Sequence, residues 1–266
     1  MNNIPNIITP TQHPLNDHEM LRYARQILLE GWDIEAQTRL KNSSVLIIGM
    51  GGLGCPLAET LCRAGVGQLI LIDNDTIDDS NLQRQSLFTP EDVGQSKATI
   101  AKQKLQKINE FCEVMAYDIR LTTNNEDIIL AQFNKNSLSK LICDCTDNFK
   151  TRDHINQLAV KNKLPLLSAS AIGQSGQLAL FEAYKNSGCY HCLFHGEGDD
   201  TRTCATSGVL ASTTQIMGNL QAQAALTFLG LGNNPLAQTL LLWQGTSMTL
   251  RKLKYQKDND CQLCSS

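Results

Sequence analysis

Two sets of residues in this 266-residue chain are spaced for chemistry. The first suits a nucleotide. The turn GMGGLG, with glycines at 49, 51, 52 and 54, follows the apolar run VLIIG, and the next apolar run, LILID, ends on Asp73. A carboxylate about 20 residues beyond such a turn is where a Rossmann-type half-fold holds a ribose hydroxyl, and a purely structural glycine turn would have no need of it. Past Asp73 the chain crowds Asn81, Gln83, Arg84 and Gln85 together and places Lys97 at the head of a helix. Donors and fixed cations at those places suit phosphate oxygens better than a nicotinamide ring, the bland alternative for both cations being a solvated surface. No GxxxxGK[ST] stretch occurs, so a P-loop is excluded and ATP phosphates would have to be met by these side chains. Asp144 and Asp147 close the run LICDCTDN, where a carboxylate can hold Mg²⁺ against triphosphate oxygens; for Asp144 a bond to a nearby backbone amide competes.

The second set is thiols. Of 10 cysteines, Cys189, Cys192, Cys261 and Cys264 form two CxxC units. Both sulfurs of each unit can reach one ion, and two units make a closed Cys₄ tetrahedron suited to structural Zn²⁺, which would pin the chain terminus to the body. Neither unit is expected to open a helix after a strand, which disfavours a pair of thioredoxin-like redox motifs. His191 is then a bystander. Cys204, near Arg202 and ahead of a helix expected from Thr206 or Ser207, sits where positive charge and a helix N-terminus would stabilise a thiolate; it is a candidate nucleophile, against an exposed thiol with no role. Cys55, Cys62, Cys112, Cys143 and Cys145 lie in apolar or helical contexts and read as small hydrophobes.

The elements that must position these residues alternate. Residues 1–14 read as a loose tail. Asn16 and Glu19 predict a capping box opening one helix over EMLRYARQILLEG, with Met20, Tyr23, Ala24, Ile27 and Leu28 as its apolar stripe, followed by a short helix over DIEAQTRLKN. Strands are predicted at VLIIG, LILID, EVMAYDI, LICDCTDN and PLLSAS, and helices at LAETLCRAG, KATIAKQKLQKIN and TRDHINQLAVKNK. This alternation predicts an α/β, Rossmann-like, mostly parallel sheet with ligands at its carboxyl edge. GQLALFEAY, TLLLWQG and SMTLRKLKY predict antiparallel strands extending that sheet, SGVLASTTQIMGNLQAQAALTFLGLG one long helix, and Phe194 to Thr203 a mobile loop. Residues 15–266 are expected to form one domain: N-terminal helices at 15–42, a nucleotide-binding core at 43–184, a zinc half-site and mobile loop at 185–207, and the long helix, antiparallel strands and second half-site at 208–266.

Composition narrows the function. A formal net charge of −3 supplies no broad basic field for nucleic acid or an anionic membrane. The start MNNIPNIITPTQHP has neither a basic leader nor an apolar stretch, and no run nears the ~20 apolar residues of a membrane span. A cytoplasmic protein with reduced thiols is expected.

The segments RYARQILL, VLIIGMGGLG, LILIDND, SNLQRQ, Lys97, CDCTDN, GCYHC, TCATSGV and CQLC, in that order, resemble the ThiF/MoeB/HesA adenylyltransferases, bacterial relatives of ubiquitin-activating enzymes. LFTPEDVGQSK, SASAIGQSGQL and GCYHCLF are more similar to the ThiF type, of thiamine biosynthesis, than to the MoeB type, of molybdopterin synthesis. The resemblance implies that the C-terminal glycine carboxylate of a small ubiquitin-fold sulfur-carrier protein ending in Gly-Gly attacks the α-phosphate of ATP, giving an acyl-adenylate and pyrophosphate. It implies Gly52 and Asp73 at the nucleotide with Gly49, Gly51, Gln83 and Asn148 around it, Asn81 and Arg84 at the phosphates, Lys97 at the triphosphate and Asp147 at Mg²⁺. Arg25 would act in trans within a homodimer. Cys204 matches the family's loop cysteine, and the stretch before it the crossover loop under which the carrier's tail threads. No rhodanese domain follows Cys264, so the sulfur donor is expected to be a separate protein. Two other classes stay open on the residues alone: an NAD-dependent oxidoreductase, which the glycine turn and Asp73 permit, and a noncatalytic zinc-stapled binding protein.

Overall fold

The computed structural model describes residues 13–133, 139–194 and 207–265. Eight strands form one sheet in the order β3-β2-β1-β4-β5-β6-β7-β8. Strands β1 (Ser43–Ile48), β2 (Gln68–Asp73), β3 (Glu113–Asp118), β4 (Ser139–Asp144) and β5 (Leu166–Ile172) run parallel. Strands β6 (Ser175–Phe181), β7 (Thr239–Gln244) and β8 (Thr249–Lys254) continue the sheet antiparallel, so the mixed sheet read from the sequence is the sheet observed. The chain winds outward from β1 through β2 to β3, then returns to the other flank of β1 with β4. That reversal opens a crevice at the carboxyl ends of β1 and β4, where open α/β sheets take their ligands.

Alternation along the strands builds two cores. Val45, Ile47, Leu69 and Leu71 face one layer, with Leu40 of α3 (Asp33–Lys41), Leu57 and Leu61 of α4 (Gly54–Ala64), and Leu105 of α5 (Lys97–Ile108). Leu46, Ile48, Ile70 and Ile72 face the other, with Phe133 of α6 (Glu126–Phe133) and Ile155 and Leu158 of α7 (Phe149–Lys161). Burial on both faces is why these strands read as continuous apolar runs. The long helix α9 (Ala211–Leu231) crosses the first layer and packs on α3, α4, β5 and β6. It comes so close that a Cβ on Gly218 would lie 2.5 Å from Pro56 Cγ and 2.7 Å from the Leu53 carbonyl oxygen.

The N-terminal segment departs from its expected form. The capping box of Asn16 and Glu19 is present, but the single helix is two, α1 (Asp17–Arg22) and α2 (Ala24–Ile27), separated at Tyr23. The cause is Tyr23 itself, whose hydroxyl accepts from Asn109 Nδ2 at 2.9 Å and whose ring packs over Gly65. It is the one fully buried member of the predicted stripe, whereas Leu28 is 76% exposed, as are Leu21 (80%) and Leu29 (58%). Two short helices were not foreseen, α6 and α8 (Tyr190–Phe194); α8 begins inside the first CxxC unit and already includes Phe194, expected in a loop. Among the described residues no helix is long and apolar enough to cross a membrane.

Candidate active site

A cavity of about 690 Å³ opens at the carboxyl edge, between the turn after β1, the loop after β2 and the turn after β4. Gly49 leaves β1 at φ +95°, in the left-handed region, and a Cβ there would lie 2.8 Å from the Cys145 carbonyl oxygen. Gly54 opens α4 with its Cα packed so closely on Gly49 that a Cβ would lie 2.0 Å from that residue's carbonyl oxygen. Glycine is thus required for both the turn and the helix–strand contact. The result aims the N-terminus of α4, with Gly51 and Gly52 ahead of it, into the cavity, an arrangement that favours anions.

Asp73 ends β2 beside this turn. Its Oδ2 accepts from the Met50 N–H at 2.6 Å and its Oδ1 from the Asp75 N–H at 2.8 Å. Burial raises its carboxyl pKa, and the two amides and Lys97 pull the other way. Each oxygen keeps a lone pair free for a ligand hydroxyl. Next, backbone bonds from Arg84 and Gln85 to the Asn81 carbonyl close a helical turn. Positions i, i+3 and i+4 share a face, so Asn81, Arg84 and Gln85 line the cavity together, whereas Gln83 is exposed on the opposite side and does not. Gln85 Oε1 is buried without a hydrogen-bond partner among the described residues. Arg84 is held from behind by Gln215 of α9, which donates to its carbonyl at 3.0 Å, and its own Nη1 donates to the Ser80 carbonyl at 2.9 Å. Lys97 opens α5 and pairs with Asp75 at 2.9 Å.

The turn after β4 is the third wall. Asp144 is wholly buried and structural: it accepts from the Thr146 N–H (2.9 Å), the Thr146 hydroxyl (2.7 Å) and the Ser168 hydroxyl (2.6 Å). Asp147 instead is exposed and faces the cavity. Asn148, also lining it, caps α7 by accepting from the Thr151 N–H at 2.9 Å. Arg120 and Arg152 line the cavity too and were not foreseen. A signal for Arg152 existed: it stands four residues after the cap Asn148, and helical side chains lean back over the preceding turn. Arg25 is exposed on α2 and does not line this cavity. Cys204 and the rest of 195–206 lie outside the described residues, as do residues 1–12 of the expected tail.

The four CxxC sulfurs converge. Cys189 and Cys192 are 3.9 Å apart, Cys189 and Cys261 3.8 Å, and Cys192 and Cys264 3.4 Å. All four lie within 4.8 Å of one another, near the edge length of about 3.8 Å that four sulfurs have around an ion bound at ~2.3 Å. Burial pushes the Cys189 thiol up to about 11. The cluster could hold a metal ion. The apolar-context cysteines are buried, with Cys55 pushed up to about 12 by its surroundings, consistent with packing roles.

The ThiF family matches residues 23–263. The chain belongs to this family. It is 39% identical over 250 residues to the sulfur carrier protein ThiS adenylyltransferase of Escherichia coli, covering 94% of this chain and 97% of that one. It is 37% identical over 250 residues to the molybdopterin-synthase adenylyltransferase of Salmonella typhimurium, covering 94% and 98%. The structure of E. coli MccB with ATP is similar at a TM-score of 0.76 and 25% identity, over 91% of this chain and 73% of that one. As a ThiF-family member the chain is an enzyme, a nucleotidyltransferase of the adenylyltransferase type, which displaces the oxidoreductase and the noncatalytic alternatives.

Proposed function

We propose that the protein uses ATP to adenylylate the C-terminal glycine carboxylate of a small ubiquitin-fold sulfur-carrier protein of the ThiS type, ahead of sulfur transfer in thiamine biosynthesis. The observation that carries this reading is the convergence of the glycine turn and Asp73 with Arg84, Lys97 and Asp147 on one cavity. Likeness to a ThiS adenylyltransferase supports the carrier. Similar likeness to a molybdopterin-synthase adenylyltransferase favours a second reading, activation of the small subunit of molybdopterin synthase.

In this reading Asp73 holds the ribose and the triphosphate runs past the N-terminus of α4 toward Asn81, Arg84 and Lys97. A carrier carboxylate oxygen attacks the α-phosphorus, the bond from that phosphorus to the bridging oxygen breaks, and pyrophosphate leaves with the electron pair. Negative charge accumulates on the leaving group, and cations already fixed near it lower the barrier without reorganising. Asp147 would hold Mg²⁺, which when bound offsets triphosphate charge. Zn²⁺ suits the closed set of four sulfurs as a structural ion. Arg25 stands among the exposed Leu21, Leu28 and Leu29, a place that supports its insertion into the site of a second copy in a homodimer. Cys204 is assigned to the later sulfur transfer, with the sulfur supplied by a separate protein.

The test is ATP–pyrophosphate exchange with purified carriers. Exchange is expected with a ThiS-type carrier ending in Gly-Gly. Exchange with the molybdopterin-synthase small subunit alone would reverse the pathway assignment, and exchange with no such carrier would remove the activity.

A further inference from the structure

The first turns of α9 touch both walls of the cavity, the glycine turn and the Arg84 loop. Thr214 is buried, lines the cavity, and donates its hydroxyl to the Ala211 carbonyl at 2.8 Å, which fixes the side chain. Its methyl faces the glycine turn, where a Cβ built on Gly52 would lie 3.0 Å from Thr214 Cγ2. Successive residues of a helix point about 100° apart, so the next side chain, Gln215, is aimed at a different wall. Its Nε2 donates to the Arg84 carbonyl at 3.0 Å. Arg84 donates its own N–H to the Asn81 carbonyl at 3.0 Å and its Nη1 to the Ser80 carbonyl at 2.9 Å. Among the described residues these two hydrogen bonds stay within the turn that carries Arg84, and Gln215 supplies the one from outside it.

The head of α9 is itself well anchored. The Leu210 N–H donates to the Gly173 carbonyl at 2.9 Å, and the Gly173 N–H to the Gly208 carbonyl at 2.9 Å, which pins the start of the helix to the hairpin between β5 and β6. Asn219 donates to the Gln215 carbonyl at 2.9 Å and accepts from the Thr60 hydroxyl of α4 at 2.8 Å. We propose that Gln215 is a positioning residue for Arg84, and that Thr214 and Gln215 together make the head of α9 a spacer that sets the gap between the glycine turn and the Arg84 loop. Without the Gln215 donor the Arg84 carbonyl is left to water, its turn opens more often, and the guanidinium carried on that turn strays from the phosphate path. The consequence for phosphate binding rests on the reading of the cavity as an ATP site; the positioning itself does not.

The experiment compares wild type, Gln215→Met, which keeps the length and lacks the donor, Arg84→Ala and the double variant. Hydrogen–deuterium exchange is measured alongside calorimetric titration with Mg·ATP and with AMP. Gln215→Met is expected to exchange roughly 5- to 10-fold faster at residues 81–85 with β1 and β4 unchanged, to bind Mg·ATP weaker by a similar factor, and to bind AMP as wild type does. In the Arg84→Ala background the same substitution should change Mg·ATP affinity by no more than about twofold, because no guanidinium is left to position. Thr214→Ser, which removes the methyl under Gly52, should weaken AMP and Mg·ATP alike, by roughly 2- to 4-fold. Unchanged exchange at 81–85 in Gln215→Met overturns the positioning role, as does an equal loss of Mg·ATP affinity with and without Arg84. Unchanged affinities in Thr214→Ser remove the spacer. If wild type binds no ATP while exchange responds as stated, the ATP reading falls and the positioning stands. Normal Mg·ATP binding in Gln215→Met with no change in exchange removes the positioning and leaves the ATP reading in place.

Discussion

The Lys97 ammonium is nearly enclosed, its side chain 8% exposed, while its partner Asp75 is 62% exposed. An ion pair with one wet end is weak, so phosphate oxygens can take over the ammonium at little cost. Lys97→Ala and Arg84→Ala should each lower carrier-dependent exchange by roughly 10²- to 10³-fold, with circular dichroism unchanged. A different carboxylate governs acid stability. Burial works against the Glu126 charge, but hydrogen bonds from His154 (3.0 Å) and Lys161 (3.1 Å) outweigh it and hold its pKa below the ordinary value. The folded pKa is thus lower than the unfolded one of about 4.3, so this stabilisation is complete above that pH and is lost as pH falls through the folded value. Urea midpoints measured from pH 6 down to 3 should fall less steeply in Glu126→Gln than in wild type. At this scale the sequence was legible where residues sit at element ends: Asp73 closes a strand and Lys97 opens a helix. It was not legible where a loop coils, because only the turn centred on Asn81 decides that Gln85, and not Gln83, meets the cavity.

Among elements, α9 is the one on which the site leans. Gly218 lets it touch Pro56 and the Leu53 carbonyl, and Leu53 belongs to the glycine turn. Gly218→Ala should therefore cost about 1–3 kcal/mol in urea unfolding and weaken Mg·ATP binding as the turn shifts. Apolar continuity made β1, β2 and β4 readable, since burial on both faces leaves a strong signature. The N-terminal helix behaved differently. Its stripe satisfied the helical period, yet the tertiary demand of Tyr23 for Asn109 and Gly65 broke the helix and left its leucines outside.

For the whole molecule, the exposed leucines around Arg25 bear on assembly. In the proposed homodimer, Arg25→Ala and Arg84→Ala chains should each be inactive alone, yet mixing them should restore about a quarter to a half of wild-type exchange, because one of the two sites in a mixed dimer keeps both arginines. No recovery on mixing, with mixed dimers demonstrated by mass spectrometry, would remove the trans role. The cysteine cluster acts across the molecule in another way. Cys189 and Cys261 are separated by 72 positions, and Leu178, just before that span, pairs across β6 and β7 with Leu241, which lies inside it. An ion on the four sulfurs would close the intervening chain into a ring and bring those two strands to about half their separation along the polymer, shrinking the search they face before pairing. Cys261→Ser, or refolding in the presence of a chelator, should therefore slow the formation of the antiparallel half of the sheet in stopped-flow experiments, giving the ion a place in the order of folding events as well as in the finished protein.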